Sequence, residues 1–402
     1  MTRVAVVGSG VAGLGAAYVL SRAHEVDVFE REPRPGGHVN TVRVDGLALD
    51  TGFLVSNERN YPLLTRLFGE LGVRTQETDM SFSVSCLDCG LEYAGRRPFA
   101  QARNAASARF HALLWEIGRW LRTARRTLDE QDLRDWSLGR YLEHHGYSQR
   151  FRRHFLVPLT SALWSTPPGR ALDFPAAHAI RFFDNHGMLG FRRFRWRSVS
   201  GGSRTYVDAI AGRLDRVRTG LPVRSVRRGP EGVVVRTADG EARPFDRVVI
   251  ATQADEALGL LEDPTDAERR VLGAFAYTAN DAVLHTDRSF LPRADAACAS
   301  WNYRVNGAAR PTVTYWLNSL QRLESDTDYL VTLNEDVYEE HVRGRFRYRH
   351  PLFTVEALAA QERLGELTCG STAFAGAYHG NGFHEAGLAS GVRAAAALGV
   401  RW

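Results

Sequence analysis

The first thirty positions divide sharply by polarity. Val4–Val7 is an unbroken apolar run, glycines interrupt it at Gly8 and Gly10, and an alanine-rich segment extends from Val11 to Arg22. Val26, Val28 and Phe29, with Asp27 between them, form a second mainly apolar stretch that stops at Glu30. Short valine-rich stretches mark buried strands, so the pattern predicts strand 3–7, helix 11–22 and strand 26–30 of a parallel α/β layer. From Arg103 to Leu128 the period changes. Phe110, Leu113, Leu114, Ile117, Leu121, Ala124 and Leu128 share one helical face, and Trp115, Arg119, Arg122 and Arg126 share the other. A Gly-Gly turn at Gly201 leads into a helix ending near Leu214. Leu221 to Thr252 then reads as short strands, with turns at Gly229-Pro230 and Asp239-Gly240 and a buried strand, Val248–Ile250.

Between the first strand and first helix stands G-x-G-x-x-G, at Gly8, Gly10 and Gly13. Such glycines allow a tight turn, backbone approach to a pyrophosphate, and close packing of helix on sheet. Val11 and Ala12 begin the helix whose N-terminus faces the phosphate charge. Glu30 follows Gly10 by 20 residues, where an acid accepts the ribose hydroxyls. Strand, helix, second strand and acid stand in register, which points to a bound dinucleotide.

Past Glu30 the chain reads Arg31-Glu-Pro-Arg-Pro-Gly36-Gly37-His38. This resembles the E-R-x4-G-G motif of the flavin amine oxidase and phytoene desaturase superfamily. The resemblance implies FAD, with Gly36 and Gly37 near its diphosphate, and His38 standing where the superfamily usually carries arginine. It extends the implied FAD contacts to Thr51 and Gly52, to the backbone at Val223 beside the adenine, to Ala251 and Thr252, and to Gly376, Gly382, Phe383 and His384. It also implies the fold class: α/β, with a discontinuous Rossmann-type FAD-binding domain over 1–80, 198–260 and 360–402. An α+β substrate (cap) domain of the amine oxidase type would be inserted over 81–197 and 261–359.

Further stretches resemble one bacterial branch of this superfamily, known as predicted NAD/FAD-binding proteins or FAD-dependent oxidoreductases. Among them are "DTGFLVSNERNYP", "PLTSALWSTP", "SWNYR", "TYWLNSLQ" and "GFHEAGLASG". Members often look to be encoded beside cyclopropane-fatty-acid-synthase-like methyltransferases, which implies a lipid substrate. Amine oxidases of the superfamily commonly hold a lysine beside the flavin, and this chain has none: all 51 basic residues are arginine. It also lacks the cysteine that monoamine oxidases place next to the C-terminal flavin motif, so the expected FAD is non-covalent. The leading expectation is therefore desaturation of a C–C bond in an apolar, fatty-acyl or lipid-like substrate. A redox-neutral double-bond isomerase, an amine oxidase and a non-catalytic FAD-binding protein are the alternatives.

The candidate catalytic groups lie in "GAYHGNGFHEAGLASG": Tyr378, His379, His384 and Glu385. Each histidine reads either as a structural hydrogen-bonding group or as a proton carrier. Glu385 reads as a carboxylate held at a helix start, where the dipole favours it, or as a catalytic acid or base. Asn57, Asn302 and Asn318 are further candidates to orient a head group or the flavin edge.

Composition narrows the rest. Apolar residues at 44% and charged residues at 24% suit a soluble globular chain of two or three domains. No apolar run approaches the roughly 18 residues of a membrane span, and no signal peptide is visible, so a cytoplasmic protein is expected. The charge of +5 is spread along the chain and points to no nucleic acid partner. Tryptophan among arginines on the 103–128 helix reads either as peripheral membrane contact or as a cap helix with a solvated basic face, and "RFRRHF" (Arg150–Phe155) and "FRRFRWR" (Phe191–Arg197) add basic-aromatic patches suited to lipid or an acidic substrate. Cys86 and Cys89 form a C-x-x-C in a stretch that alternates like a hairpin. No second ligand pair has zinc spacing, so no metal is expected.

Overall fold

The computed structural model describes residues 2–130, 133, 136–190 and 194–402. Residues 191–193 of the second basic-aromatic stretch lie outside the described residues.

A five-stranded sheet forms the nucleotide end. Its order is Thr372–Phe374, Arg247–Ile250, Arg3–Val7, Glu25–Phe29 and Arg216–Arg218. Every pairing is parallel, with Val4–Val7 opposite Arg247–Ile250. Val4, Val6, Val28, Val248 and Ile250 are fully buried, because helices and a second small sheet cover both faces. That second sheet is the antiparallel meander Val223–Gly229, Gly232–Thr237 and Ala242–Phe245.

A seven-stranded mixed sheet forms the other half. Its order is Val342–Pro351, Tyr277–His285, Leu330–Leu333, Thr312–Trp316, Trp301–Val305, Phe82–Cys86 and Glu92–Ala94. Trp301–Val305 runs parallel to Phe82–Cys86, and this pairing joins two segments more than 200 residues apart in one sheet. Helices between residues 102 and 185 pack around the edge that carries Phe82–Cys86.

Two helices far apart in sequence hold the nucleotide half together. Val11–Leu20 and His384–Ala397 lie side by side at backbone distance. A Cβ on Gly391 would lie 2.1 Å from the Ala12 carbonyl oxygen, one on Gly387 would lie 2.8 Å from Val11 Cγ1, and one on Gly15 would lie 2.5 Å from Leu388 Cδ1. Contacts step forward together along both helices, from Val11 with Gly387 to Ala16 with Gly391. The helices are therefore parallel and both start at the same end. Ser390 reinforces the seam, its Oγ accepting the Gly376 N–H at 2.8 Å and donating to the Gly387 carbonyl.

The helix expected over 103–128 is Ala102–Ala105, then Ala108–Thr123, then a 3-10 turn Ala124–Asp129. Ser107 starts the long piece, its side chain accepting the Phe110 N–H. The buried face differs from the predicted one. Phe110, Leu113, Glu116, Trp120 and Ala124 line it, while Leu114, Ile117, Leu121 and Leu128 are only partly buried. Glu116 draws the helix round, because its carboxylate accepts from Ser148 N and Oγ at 2.7 and 2.5 Å. Trp120 then packs edge-on against Tyr141 and Tyr147. Trp115 stays 62% exposed with Arg119 over its ring. Among the described residues no helix is long and apolar enough to cross a membrane.

The seam makes a direct prediction. Gly391→Ala forces a methyl onto backbone that has no rotamer to change, so overpacking should cost about 1–3 kcal/mol. Gly259→Ala, where a Cβ meets nothing within 4 Å, should be neutral or slightly stabilising. Denaturant midpoints of the two variants check this, and equal midpoints would refute the seam.

Candidate functional site

The carboxyl ends of the parallel strands deliver the predicted nucleotide residues to one edge, the usual ligand edge of such sheets. Gly8 leaves its strand at φ +98°, a region open to glycine, and its N–H donates to the Phe29 carbonyl at 2.8 Å. A Cβ on Gly8 would meet the Ala251 carbonyl at 2.8 Å, and one on Gly13 would lie 1.9 Å from the Gly8 carbonyl. Gly10 differs, since nothing lies within 4 Å of its Cβ position. It caps the helix that Val11 and Ala12 begin, and no side chain satisfies that helix start.

Glu30 is buried at the end of its strand. One carboxylate oxygen accepts from Ser9 N at 2.9 Å and from Ser9 Oγ at 2.5 Å, and the other accepts from Glu32 N at 2.9 Å. The acid thus clamps the glycine turn, and its second oxygen keeps a lone pair free. Gly36 reaches the same turn, its N–H donating to the Ser9 carbonyl at 3.0 Å, and Gly37 lies against Gly10. Leu221 N donates to the Glu30 carbonyl at 2.9 Å, which brings the start of the Val223 strand alongside. Arg31 follows in the same motif. Its guanidinium turns outward to Glu256 at 2.9 Å, which also pairs with Arg349.

The other end of the cleft gathers aromatic rings and imidazoles. His38 stacks on His350 at 5.3 Å and lies 5.2 Å from Tyr348. Thr51 hydrogen-bonds the Tyr348 hydroxyl at 2.7 Å, and Asn40 donates to both. Gly52 permits this approach, since a Cβ there would lie 2.0 Å from the His38 carbonyl. Gly376 follows its strand and faces the Thr252 carbonyl. Gly382 packs on Phe353, and Phe383 precedes the second helix start, again without a side-chain cap.

The four catalytic candidates behave differently from one another. Glu385 accepts from Leu63 N at 2.8 Å through one oxygen and from Leu64 N at 3.0 Å through the other. These N–H groups belong to the first turn of helix Pro62–Leu71, so the carboxylate joins two helix starts. Burial raises its pKa and the two N–H groups oppose that rise. Tyr378 is a core residue, 1% exposed and packed against Phe275, with no partner for its hydroxyl among the described residues. His384 stacks on Phe53 at 4.0 Å, and its Nε2 hydrogen-bonds the buried Tyr206 hydroxyl. His379 is held against the Tyr378 ring, and its buried Nε2 has no partner among the described residues. Asn302 and Asn318 are satisfied by backbone within the large sheet and its loops. Asn57 turns its carbonyl to Asn60 N.

Desolvation keeps the imidazoles neutral. Burial lowers His38 to about 4, and burial together with His38 lowers His350 and His384 to about 3. Burial and Arg393 bring His379 to about 3. Sequence spacing offered no route to Phe53, Tyr206, Tyr348 or His350. The DTG stretch and the helix at 204 were the nearest signals, but their partners lie hundreds of residues away.

Two uncapped helix starts opening on one edge, with glycine backbone between them, fit an extended anionic dinucleotide. A parallel nucleotide sheet of this kind beside a large mixed sheet defines an FAD-binding α/β protein with a second, cap-like half. The chain belongs to the flavin containing amine oxidoreductase family, whose model matches residues 11–399, and FAD is its cofactor. AofH of Mycobacterium tuberculosis, named as a flavin-containing monoamine oxidase, is 30% identical over 281 residues, which is 65% of this chain and 59% of that protein. The chain thus spans 59% of that relative's length. A redesigned putrescine oxidase superposes with a TM-score of 0.70 at 16% identity, over 99% of this chain and 98% of that one. A CLA-producing fatty acid isomerase from P. acnes gives 0.69 at 15% identity, over 97% of each chain. At these identities the two structures share the fold.

The Glu385 geometry predicts the behaviour of Glu385→Gln. One helix-start N–H loses its acceptor, costing about 1–3 kcal/mol, while the flavin absorbance stays. A lower denaturant midpoint at unchanged flavin content is the expected result. Unchanged stability would show that the cap carries no weight.

Proposed function

We propose that this protein is an FAD-dependent oxidoreductase that desaturates a C–C bond of an apolar, acyl-lipid-like substrate. The observation that carries this reading is the neutral aromatic cluster packed against the start of helix His384–Ala397. Phe383 stacks on Phe182 at 4.8 Å, His186 stacks on the same ring at 3.8 Å, and Trp164 lies 4.6 Å from it. Trp164 Nε1 donates to the Asn381 carbonyl at 3.2 Å, tying these rings to the glycine segment.

Charge argues in the same direction. Burial lowers His186 and His178 to about 4, so both are neutral at pH 7. Glu385 has both oxygens on backbone N–H groups. An alkylammonium packed among these neutral rings would lose its hydration, whereas an acyl chain loses none. The chain has no lysine, which removes the amine group commonly found beside the flavin in amine oxidases.

Bound FAD would accept a hydride from one carbon of the substrate. Removal of a proton from the neighbouring carbon completes the double bond. His379 is the protein group we assign to that proton, because it lies in the glycine segment and its Nε2 has no hydrogen-bond partner among the described residues. The aromatic rings exclude water from the reacting carbons, and the start of helix His384–Ala397 supplies positive potential to the reduced cofactor.

Anaerobic mixing with a panel of acyl lipids and polyamines tests the reading. Bleaching of the flavin by a lipid, with a product lighter by two hydrogens, is expected. Bleaching by a polyamine alone would overturn the proposal, and a lipid product of unchanged mass would replace desaturation with isomerisation.

A further inference from the structure

We propose that Cys86, Cys89 and His154 form a zinc site that clips the Phe82–Cys86/Glu92–Ala94 hairpin to the helical cap. It lies apart from the flavin edge and is independent of the reaction proposed above. Sequence spacing supplied only one cysteine pair. The fold adds a third donor from a helix 65 residues further on.

The hairpin turn brings the Cys86 and Cys89 sulfurs within 4.8 Å of each other. Cys86 ends its strand, Gly90 N donates to the Cys86 carbonyl at 2.9 Å, and Gly90 takes φ +68° to reverse the chain.

His154 completes the set from a π-helical turn, Arg152–Leu156. Such turns rotate a side chain out of the regular helical face and occur often at functional sites. The hairpin fixes this turn, because the Tyr93 hydroxyl donates to the His154 carbonyl at 2.7 Å. His154 Nδ1 lies 3.3 Å from the Arg150 carbonyl. As the donor in that contact it leaves the Nε2 lone pair facing the sulfurs, the arrangement seen in metal-bound histidines.

The Cys89–His154 distance matches tetrahedral zinc, and the third donor lies close enough to join it. Cys89 Sγ and His154 Nε2 are 3.5 Å apart, and all three donor atoms lie within 4.8 Å of one another. Zn–S near 2.3 Å and Zn–N near 2.0–2.1 Å give a tetrahedral S···N edge of about 3.6 Å. Two thiolates neutralise the dication, which suits a site with two buried donors, Cys86 and His154, and one exposed donor, Cys89. The exposed side leaves the fourth position to water or to Asp88, which now pairs with Arg153.

Zinc content of the reduced, FAD-loaded protein, with absorption fine structure at the zinc edge, tests the site. The expected result is about one zinc per chain with two sulfur ligands at about 2.3 Å and a nitrogen at about 2.0–2.1 Å. Cys89→Ser and His154→Gln should each weaken retention at least about tenfold, roughly 1.4 kcal/mol, at unchanged flavin content. Cys369→Ser, at an exposed cysteine elsewhere, should keep the zinc. No zinc uptake by the reduced protein, zinc that survives Cys89→Ser, or a Cys86–Cys89 disulfide that persists under reductant would each overturn the proposal.

Discussion

The contact between helices Val11–Leu20 and His384–Ala397 is the constraint on which the flavin half depends. Side chains larger than hydrogen at Gly391 or Gly387 would push the helices apart, since the atoms opposite include the Ala12 backbone and Val11. Because the helices run parallel at backbone distance, both N-termini open on the carboxyl edge of the sheet. One start faces the glycine turn of the nucleotide motif, and the other follows Gly382 and Phe383. Neither has a side-chain cap, so their positive ends remain available to an anionic cofactor.

From that seam the rest of the site is built by cross-links. Glu385 extends the second helix start to helix Pro62–Leu71. His384 reaches Phe53 and Tyr206, and His38 reaches Tyr348 and His350 on the edge strand of the large sheet. Trp164 and Phe182 then bring the helical cap against the same segment. The outcome is a packed cluster of aromatic and neutral imidazole groups, with the Glu385 carboxylate bound to backbone beside it.

What was legible beforehand follows from the range of the interactions. The opening strand, turn, helix and acid act within thirty residues, so spacing alone places Gly8, Gly10, Gly13 and Glu30. Glu385 could be seen to stand at a helix start, but its acceptor duty depends on N–H groups 321 and 322 residues away. The rotated face of helix Ala108–Thr123 has the same origin. Hydropathy ranks Glu116 as exposed, and only the Ser148 helix start explains its burial. Arg31 stands in a motif yet answers to Glu256, which lies outside it. His154 was invisible for a further reason, because a π-helical turn breaks the 3.6-residue period on which sequence reading relies.

The central claim is that the parallel seam holds the cofactor edge in shape. FAD affinity, measured by fluorescence titration of flavin-depleted protein, tests it most directly when wild type is compared with Gly387→Val. That substitution presses on Val11 without altering the glycines of the nucleotide motif. The account predicts a dissociation constant at least about tenfold higher, a loss of roughly 1.4 kcal/mol. An unchanged constant in the folded variant would contradict it.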